Sequence, residues 1–199
     1  MKKANLAVLA SGSGSNLAAL INAINDGVIE NARISVVISN KQDAYALKRA
    51  EDAGIPAVFA ERSGFNDNET FYRHVLEKLN EFDVDVVLLA GYLRILTNPL
   101  LEAYKDRILN IHPSLLPDFG GVGMYGMKVH EEVLKAGVSA SGCSVHLVNE
   151  HVDGGAIIAQ KTVPVLPEDT PEILAARVLK EEHKLYSATV QQFISNIEL

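Results

Sequence analysis

A single cysteine, Cys143, stands among 199 residues. It excludes an intrachain disulfide and argues against a cysteine-based zinc site. It also has no basic neighbour in sequence to favour a thiolate, so it reads as buried and structural. A reducing cytoplasm is the simplest location for such a chain. No apolar run reaches the roughly 18 residues that a membrane-spanning helix needs. Met1-Lys2-Lys3 leads only into a short apolar strand and then Ser-Gly-Ser-Gly-Ser, which lacks the apolar stretch of a signal peptide. Basic residues are in deficit too, 18 against 25 acidic, for a net charge of −7. That disfavours a nucleic-acid binder working by bulk electrostatics, while leaving open small anions held by backbone amides. Repeats, low-complexity tracts and a dividing linker are missing as well.

What is present alternates. Hydrophobic residues make up 48% and charged residues 22%, ordinary for a folded domain with a full core. Leu6 to Ala10 has strand character; then come Ser11-Gly12-Ser13-Gly14-Ser15-Asn16 and an apolar stripe, Leu17, Leu20, Ile21 and Ile24, at helical spacing. Strands are expected over Arg33–Ile38 and Ala57–Phe59, around a helix from Ala44 to Ala53 that Gly54 and Pro56 close. Asn66 and Glu69 resemble a capping box for a helix ending near Phe82. Val84 to Ala90 is the most nearly continuous apolar run, as in a central parallel strand covered on both faces. This succession predicts an α/β fold with a doubly wound, mostly parallel sheet. Beyond Pro117 the style changes to a glycine-rich loop and a helix from about Lys128 to Ala136. Two extended runs, Ser141–Val148 and Ala156–Val165, are joined by a turn-rich link and are expected to pair antiparallel. Asp169-Thr170-Pro171-Glu172 then opens a C-terminal helix.

Chemistry concentrates in Asn110-Ile111-His112-Pro113, which ends the run Arg107-Ile108-Leu109. Residues two apart on a strand share a face, so the Asn110 amide and the His112 imidazole emerge together where the strand leaves the sheet. In an open α/β sheet that is the ligand crevice. The plainer alternative is a strand-ending turn whose histidine caps backbone groups. The Gly12/Gly14 loop fails as a dinucleotide fingerprint, because Leu17 stands at the third glycine, and it lacks a Walker ending. What is left is a compact nest at a helix N-terminus with Ser15 and Asn16 as side-chain donors. Such a nest suits one terminal phosphate, worth roughly 0.3–2 kcal/mol of helix-end stabilisation.

Six histidines are present, of which His74 and His130 fall in expected helices as surface or packing residues. His146 shares a strand face with Ser144 and either enters the crevice or fills a polar gap. His146, Glu150, His151 and Asp153 match no recognised ligand spacing, so no metal is expected. Asp153-Gly154-Gly155 permits a sharp turn that would bring a carboxylate to the mouth of the sheet. Near His112 it would raise the imidazole above its usual pKa of about 6.5. Alternatively Asp153 bonds its own turn.

Taken together, Gly12-Ser13-Gly14-Ser15-Asn16, Leu89-Ala90-Gly91-Tyr92-Leu93-Arg94-Ile95-Leu96, Asn110-Ile111-His112-Pro113-Ser114-Leu115-Leu116-Pro117 and Asp153-Gly154-Gly155 resemble, in order and spacing, the folate-dependent phosphoribosylglycinamide formyltransferase family of purine synthesis. The resemblance spans essentially the full length. It implies one Rossmann-like domain over 1–199, with 1–105 the phosphate-binding βα half and 106–199 the catalytic and folate-binding half. It implies Asn110, His112 and Asp153 as the catalytic trio, with protonated His112 and Asn110 stabilising an oxyanion. Gly14, Ser15, Asn16 and Glu182 would bind the ribonucleotide. Leu93, Arg94, Ile95, Leu96, Asn110 and Val148 would line the pocket for 10-formyltetrahydrofolate, a co-substrate. The implied partners are small molecules, with no nucleic acid, membrane or metal, and the chain would be a monomer or homodimer. Three rivals stand beside this reading. A formyltetrahydrofolate hydrolase is expected to add an N-terminal regulatory domain for which this chain has no room. A methionyl-transfer-RNA formyltransferase is expected to add a C-terminal RNA-binding domain and a more basic surface. A phospholigand-binding module of the same fold would keep the glycine nest without needing Asn110, His112 and Asp153 to converge. Three positions depart from the family pattern. Gly120 replaces the proline of a Phe-Pro-Gly, which predicts a more mobile loop. Asn68 stands where relatives carry a cofactor-binding arginine, and Leu179 replaces a polar residue.

Overall fold

A computed structural model describes residues 3–197; Met1 and Lys2, from the stretch weighed as a leader, and Glu198 and Leu199 lie outside the described residues. One seven-stranded sheet organises it. The strands are β1 (Ala4–Leu9), β2 (Ala32–Ser39), β3 (Ala57–Phe59), β4 (Val86–Leu89), β5 (Ile108–His112), β6 (Ala140–Leu147) and β7 (Ile157–Pro164). They lie in the order β3-β2-β1-β4-β5-β6-β7. The first five run parallel, whereas β6 is antiparallel to β5, and β7 to β6. The doubly wound, mostly parallel sheet with antiparallel strands added by the C-terminal part is therefore as the sequence predicted.

Alternation along the central strands divides two apolar layers. Leu6 and Val8 of β1, with Val86 and Leu88 of β4, face the helices α1 (Ser15–Asn25), α2 (Tyr45–Asp52), α5 (Met127–Ala136) and α6 (Pro171–Asn196). Ala7, Leu9, Val87 and Leu89 face α3 (Asn68–Glu81) and the single turn α4 (Leu100–Ala103). Burial on both faces is why these strands carry almost no polar side chain.

One start signal moved by a residue. Asp67, rather than Asn66, caps α3, its carboxylate accepting from Thr70 N at 2.7 Å. An ionised carboxylate is the stronger acceptor at a helix N-terminus, so the Asn66/Glu69 box does not form. Thr170 caps α6, with Pro171 as its first residue, as the sequence implied.

The chain fills the β2–β3 side from β1, then crosses to β4 and β5 on the other side. The switch point thus lies between the carboxyl ends of β1 and β4. Ser11 stitches it together: its N–H donates to Gly91 O at 3.0 Å, and its hydroxyl oxygen accepts from Leu93 N at 2.9 Å. From α6 the fully buried Tyr186 hydroxyl reaches both Leu89 O and Leu109 O, at 3.0 and 3.1 Å. The helix bearing Glu182 is thereby held against the strands that end at the crevice.

Candidate active site

The carboxyl ends of the strands open into a cavity of about 900 Å³. Ser15 and Asn16, the stretch from Leu93 to Leu96, Asn110, His112, Val148, Asp153 and Glu182 all line it. Of the residues expected at the site, Gly14 alone is not in the wall. Gly14 shapes the nest instead. It caps α1 at φ 69°, and a β-carbon there would lie 2.8 Å from Ala46 Cα. Only glycine combines that dihedral with that approach. Among the described residues no side chain caps α1, which leaves its first N–H groups available to an anion.

Behind the nest, Asn16 Nδ2 donates to Glu182 Oε2 at 2.7 Å across the interface of α1 and α6. Burial raises the Glu182 pKa, and the Asn16 bond only partly opposes this. On the other side, Tyr72 OH donates to Ile95 O at 3.0 Å and sets the path of the 93–96 stretch. Leu93 and Ile95 present half-exposed apolar side chains there. Asn68 does not line the cavity, but its Oδ1 accepts from Arg62 and Arg94 and so fixes the Arg94 guanidinium.

Asn110 and His112 share a face of β5 as the spacing required, and both line the cavity. Their setting comes from an unforeseen pairing. β6 lies antiparallel beside β5 in a register that places Asn110 opposite His146 and His112 opposite Ser144. Ser144 holds the following turn, its hydroxyl donating to Ser114 O at 2.6 Å and accepting from Leu116 N at 3.0 Å. His146 enters the crevice, with Nε2 3.0 Å from Asn110 Nδ2.

Asp153 reaches the same point from the β6–β7 loop. That loop folds back closely because Gly155 has no side chain: a β-carbon there would lie 1.7 Å from Leu147 O. Asp153 itself adopts φ 54°, a left-handed conformation that aspartate tolerates better than most residues. Its Oδ2 is 3.6 Å from His112 Nδ1, and its Oδ1 is 3.5 Å from His146 Nε2. Gly121 N donates to the same carboxylate at 3.0 Å, and Phe119 O accepts from His112 Nε2 at 2.9 Å. The glycine-rich loop expected to be mobile is thus tied to both catalytic candidates.

The electrostatics correct one expectation. Asp153 does favour the His112 imidazolium, but burial is the larger effect and holds the His112 pKa below its ordinary value. Burial also pulls Asp153 upward, yet the neighbouring His146 and His112 rings and the Gly121 N–H outweigh it, leaving the carboxyl below its usual range. Cys143 is a buried free thiol, pushed up to about 12 chiefly by burial, in keeping with a structural role.

His130, read as a surface or packing residue, lines the cavity at 4% exposure, with Nδ1 unpartnered. Its place on the inner face of α5, behind Val129 and Val133, was the available signal. Among the described residues no three His, Cys, Asp or Glu side chains gather as a metal-holding group.

Residues 4–190 match the formyl transferase family. The chain belongs to that family. A phosphoribosylglycinamide formyltransferase of Haemophilus influenzae is 42% identical over 193 residues, which cover 97% of this chain and 87% of that protein. The chloroplastic phosphoribosylglycinamide formyltransferase of Vigna unguiculata is 42% identical over 96% of this chain, which spans only 61% of the plant protein's length. The crystal structure of glycinamide ribonucleotide transformylase 1 from Symbiobacterium toebii superposes with a TM-score of 0.93 at 42% identity, covering 98% of this chain and 91% of that one. The resemblance drawn from the motifs is thereby borne out, and with it a formyl transferase fold around this cavity.

Proposed function

We propose that the chain transfers the formyl group of 10-formyltetrahydrofolate to the amine of 5'-phosphoribosylglycinamide in purine biosynthesis. The observation that most supports this is the convergence of Asn110, His112 and Asp153 on one cavity that also contains the α1 nest and the 93–96 stretch. The nest of Gly14, Ser15 and Asn16 suits the phosphate. Glu182 spends one oxygen on Asn16 and offers the other to a sugar hydroxyl. Leu93, Ile95, Leu96 and Val148 provide apolar contact for the pterin, beside Arg94 and Asn110.

In this reading the amine lone pair forms the new N–C bond while the formyl C=O pair moves onto oxygen. The Asn110 amide and the His112 ring donate to that oxyanion. His112 Nδ1 and Asp153 Oδ2, at 3.6 Å, are too far apart for a direct hydrogen bond and leave room for the oxyanion or a water beside both. The developing negative charge, added to that of Asp153, favours the imidazolium against the burial that disfavours it. The oxyanion's electron pair then re-forms C=O, and the bond to the folate nitrogen breaks with its pair going to that nitrogen. The proton lost by the amine reaches that nitrogen by way of Asp153. Holding both reactants together contributes up to ~7–11 kcal/mol in well-oriented systems. Residues 1–199 act as one domain in this account, as a monomer or homodimer, in a reducing cytoplasm that leaves Cys143 a thiol.

The test is turnover of 10-formyltetrahydrofolate with and without the ribonucleotide. Ribonucleotide-dependent turnover supports the transferase. Turnover that ignores the ribonucleotide points to a hydrolase, and no turnover to a binding module of the same fold.

A further inference from the structure

We propose that His146 is a positioning residue that fixes which way the Asn110 amide faces. The inference rests on the formyl-transfer reading, in which Asn110 donates to the oxyanion. Its basis is a chain of two hydrogen bonds, from His146 to Leu147 O and to the Asn110 amide. His146 Nδ1 lies 2.8 Å from Leu147 O, and a carbonyl only accepts, so Nδ1 carries the hydrogen. His146 Nε2 lies 3.0 Å from Asn110 Nδ2, and an amide nitrogen only donates, so Nε2 presents its lone pair. One tautomer satisfies both demands.

The arrangement is built into the sheet. The β5–β6 register sets Asn110 opposite His146, and the ring is 2% exposed, so water does not compete for either nitrogen. Leu147 is fixed in turn, its N–H donating to Ala156 O at 2.9 Å while Gly155 packs against its carbonyl. Asp153 Oδ1, at 3.5 Å from Nε2, draws a hydrogen toward the same nitrogen, but the Asn110 contact is the shorter at 3.0 Å and decides for the lone pair. With one N–H given to His146, Asn110 keeps its second N–H for the reacting oxygen. Were Nε2 protonated, two donors would meet. The amide would then turn over, exchanging Nδ2 and Oδ1 and moving the donor from its place.

The first measurement is on the unaltered protein: nitrogen chemical shifts of ¹⁵N-histidine-labelled enzyme at neutral pH. The Nδ1–H form of His146 is expected; a proton on Nε2 would overturn the proposal. The second is a double-mutant cycle on the full chain. His146→Met, which removes the acceptor, should lower kcat by about tenfold to a hundredfold, no more than Asn110→Ala, because a single oxyanion donor is worth about 10²–10³. KM for both substrates should stay within about threefold. His146→Gln, whose Oε1 again accepts, should restore most of the rate. Asn110→Ala/His146→Met should be no slower than Asn110→Ala alone. A slow Asn110→Ala enzyme beside a wild-type His146→Met enzyme, or losses that multiply, would overturn the role of His146. A wild-type rate in Asn110→Ala would instead overturn the parent reading, and this one with it.

Discussion

His112 Nδ1 faces Asp153 Oδ2 across 3.6 Å, with both side chains nearly closed off from solvent. Neither the strand that ends at His112 nor the loop that carries Asp153 could form this contact alone. It exists because β6 adds antiparallel to β5 and the Gly154-Gly155 turn folds Asp153 back over the strand ends.

Asp153→Asn should lower the His112 pKa further. Burial already holds that pKa below its ordinary value, and the Asp153 charge is the main influence opposing it. Titration of the His112 ring by NMR is expected to give a lower midpoint in the variant. An identical midpoint would show that the carboxylate does not act on the ring.

The contribution of the buried histidines to stability should fall as pH drops through the range of an ordinary histidine, about 6.5, while Glu182, whose pKa burial raises, contributes in the opposite sense. His112, His130 and His183 all have pKa values lowered, first of all by burial. At these three rings the unfolded chain therefore takes up protons that the folded one refuses, and their contribution to stability rises with pH in that window. His130→Gln should make the pH dependence of the urea midpoint between about pH 7.5 and 5.5 shallower. An unchanged slope would mean that His130 binds its proton equally well in both states.

Gly14→Ala should damage the phosphate nest selectively. Its β-carbon would press on Ala46 at a positive φ, a clash that costs about 1–3 kcal/mol where the backbone must shift. KM for the ribonucleotide is expected to rise by about tenfold, equivalent to 1.4 kcal/mol of binding, with little change for the folate. Equal changes for both substrates would mean that the nest does not hold the phosphate.

The fold was legible because its central strands must be apolar on both faces. Val84 to Ala90 and Leu6 to Ala10 could hardly be anything but buried parallel strands. Asn110 and His112 were legible as a pair because a strand's period of two fixes their common face. The loop residue Asp153 could be suspected from its glycines, but its contact required tertiary structure. The sequence leaves His146 undecided between the crevice and a polar gap, because its placement opposite Asn110 depends on the β5–β6 register, which no local pattern encodes. The direction of the His112 shift was missed for a related reason: a sequence shows a possible carboxylate partner, but not how completely the ring will be buried.

In the proposed reaction, formyl transfer depends on His112 acting with its neighbours in this cavity. The most direct measurement is single-turnover formation of formylated ribonucleotide by wild type and by folded His112→Ala. Loss of a group that both donates to the oxyanion and takes part in proton handling should slow the variant by about 10²–10⁴-fold. A His112→Ala enzyme as fast as wild type would contradict the account.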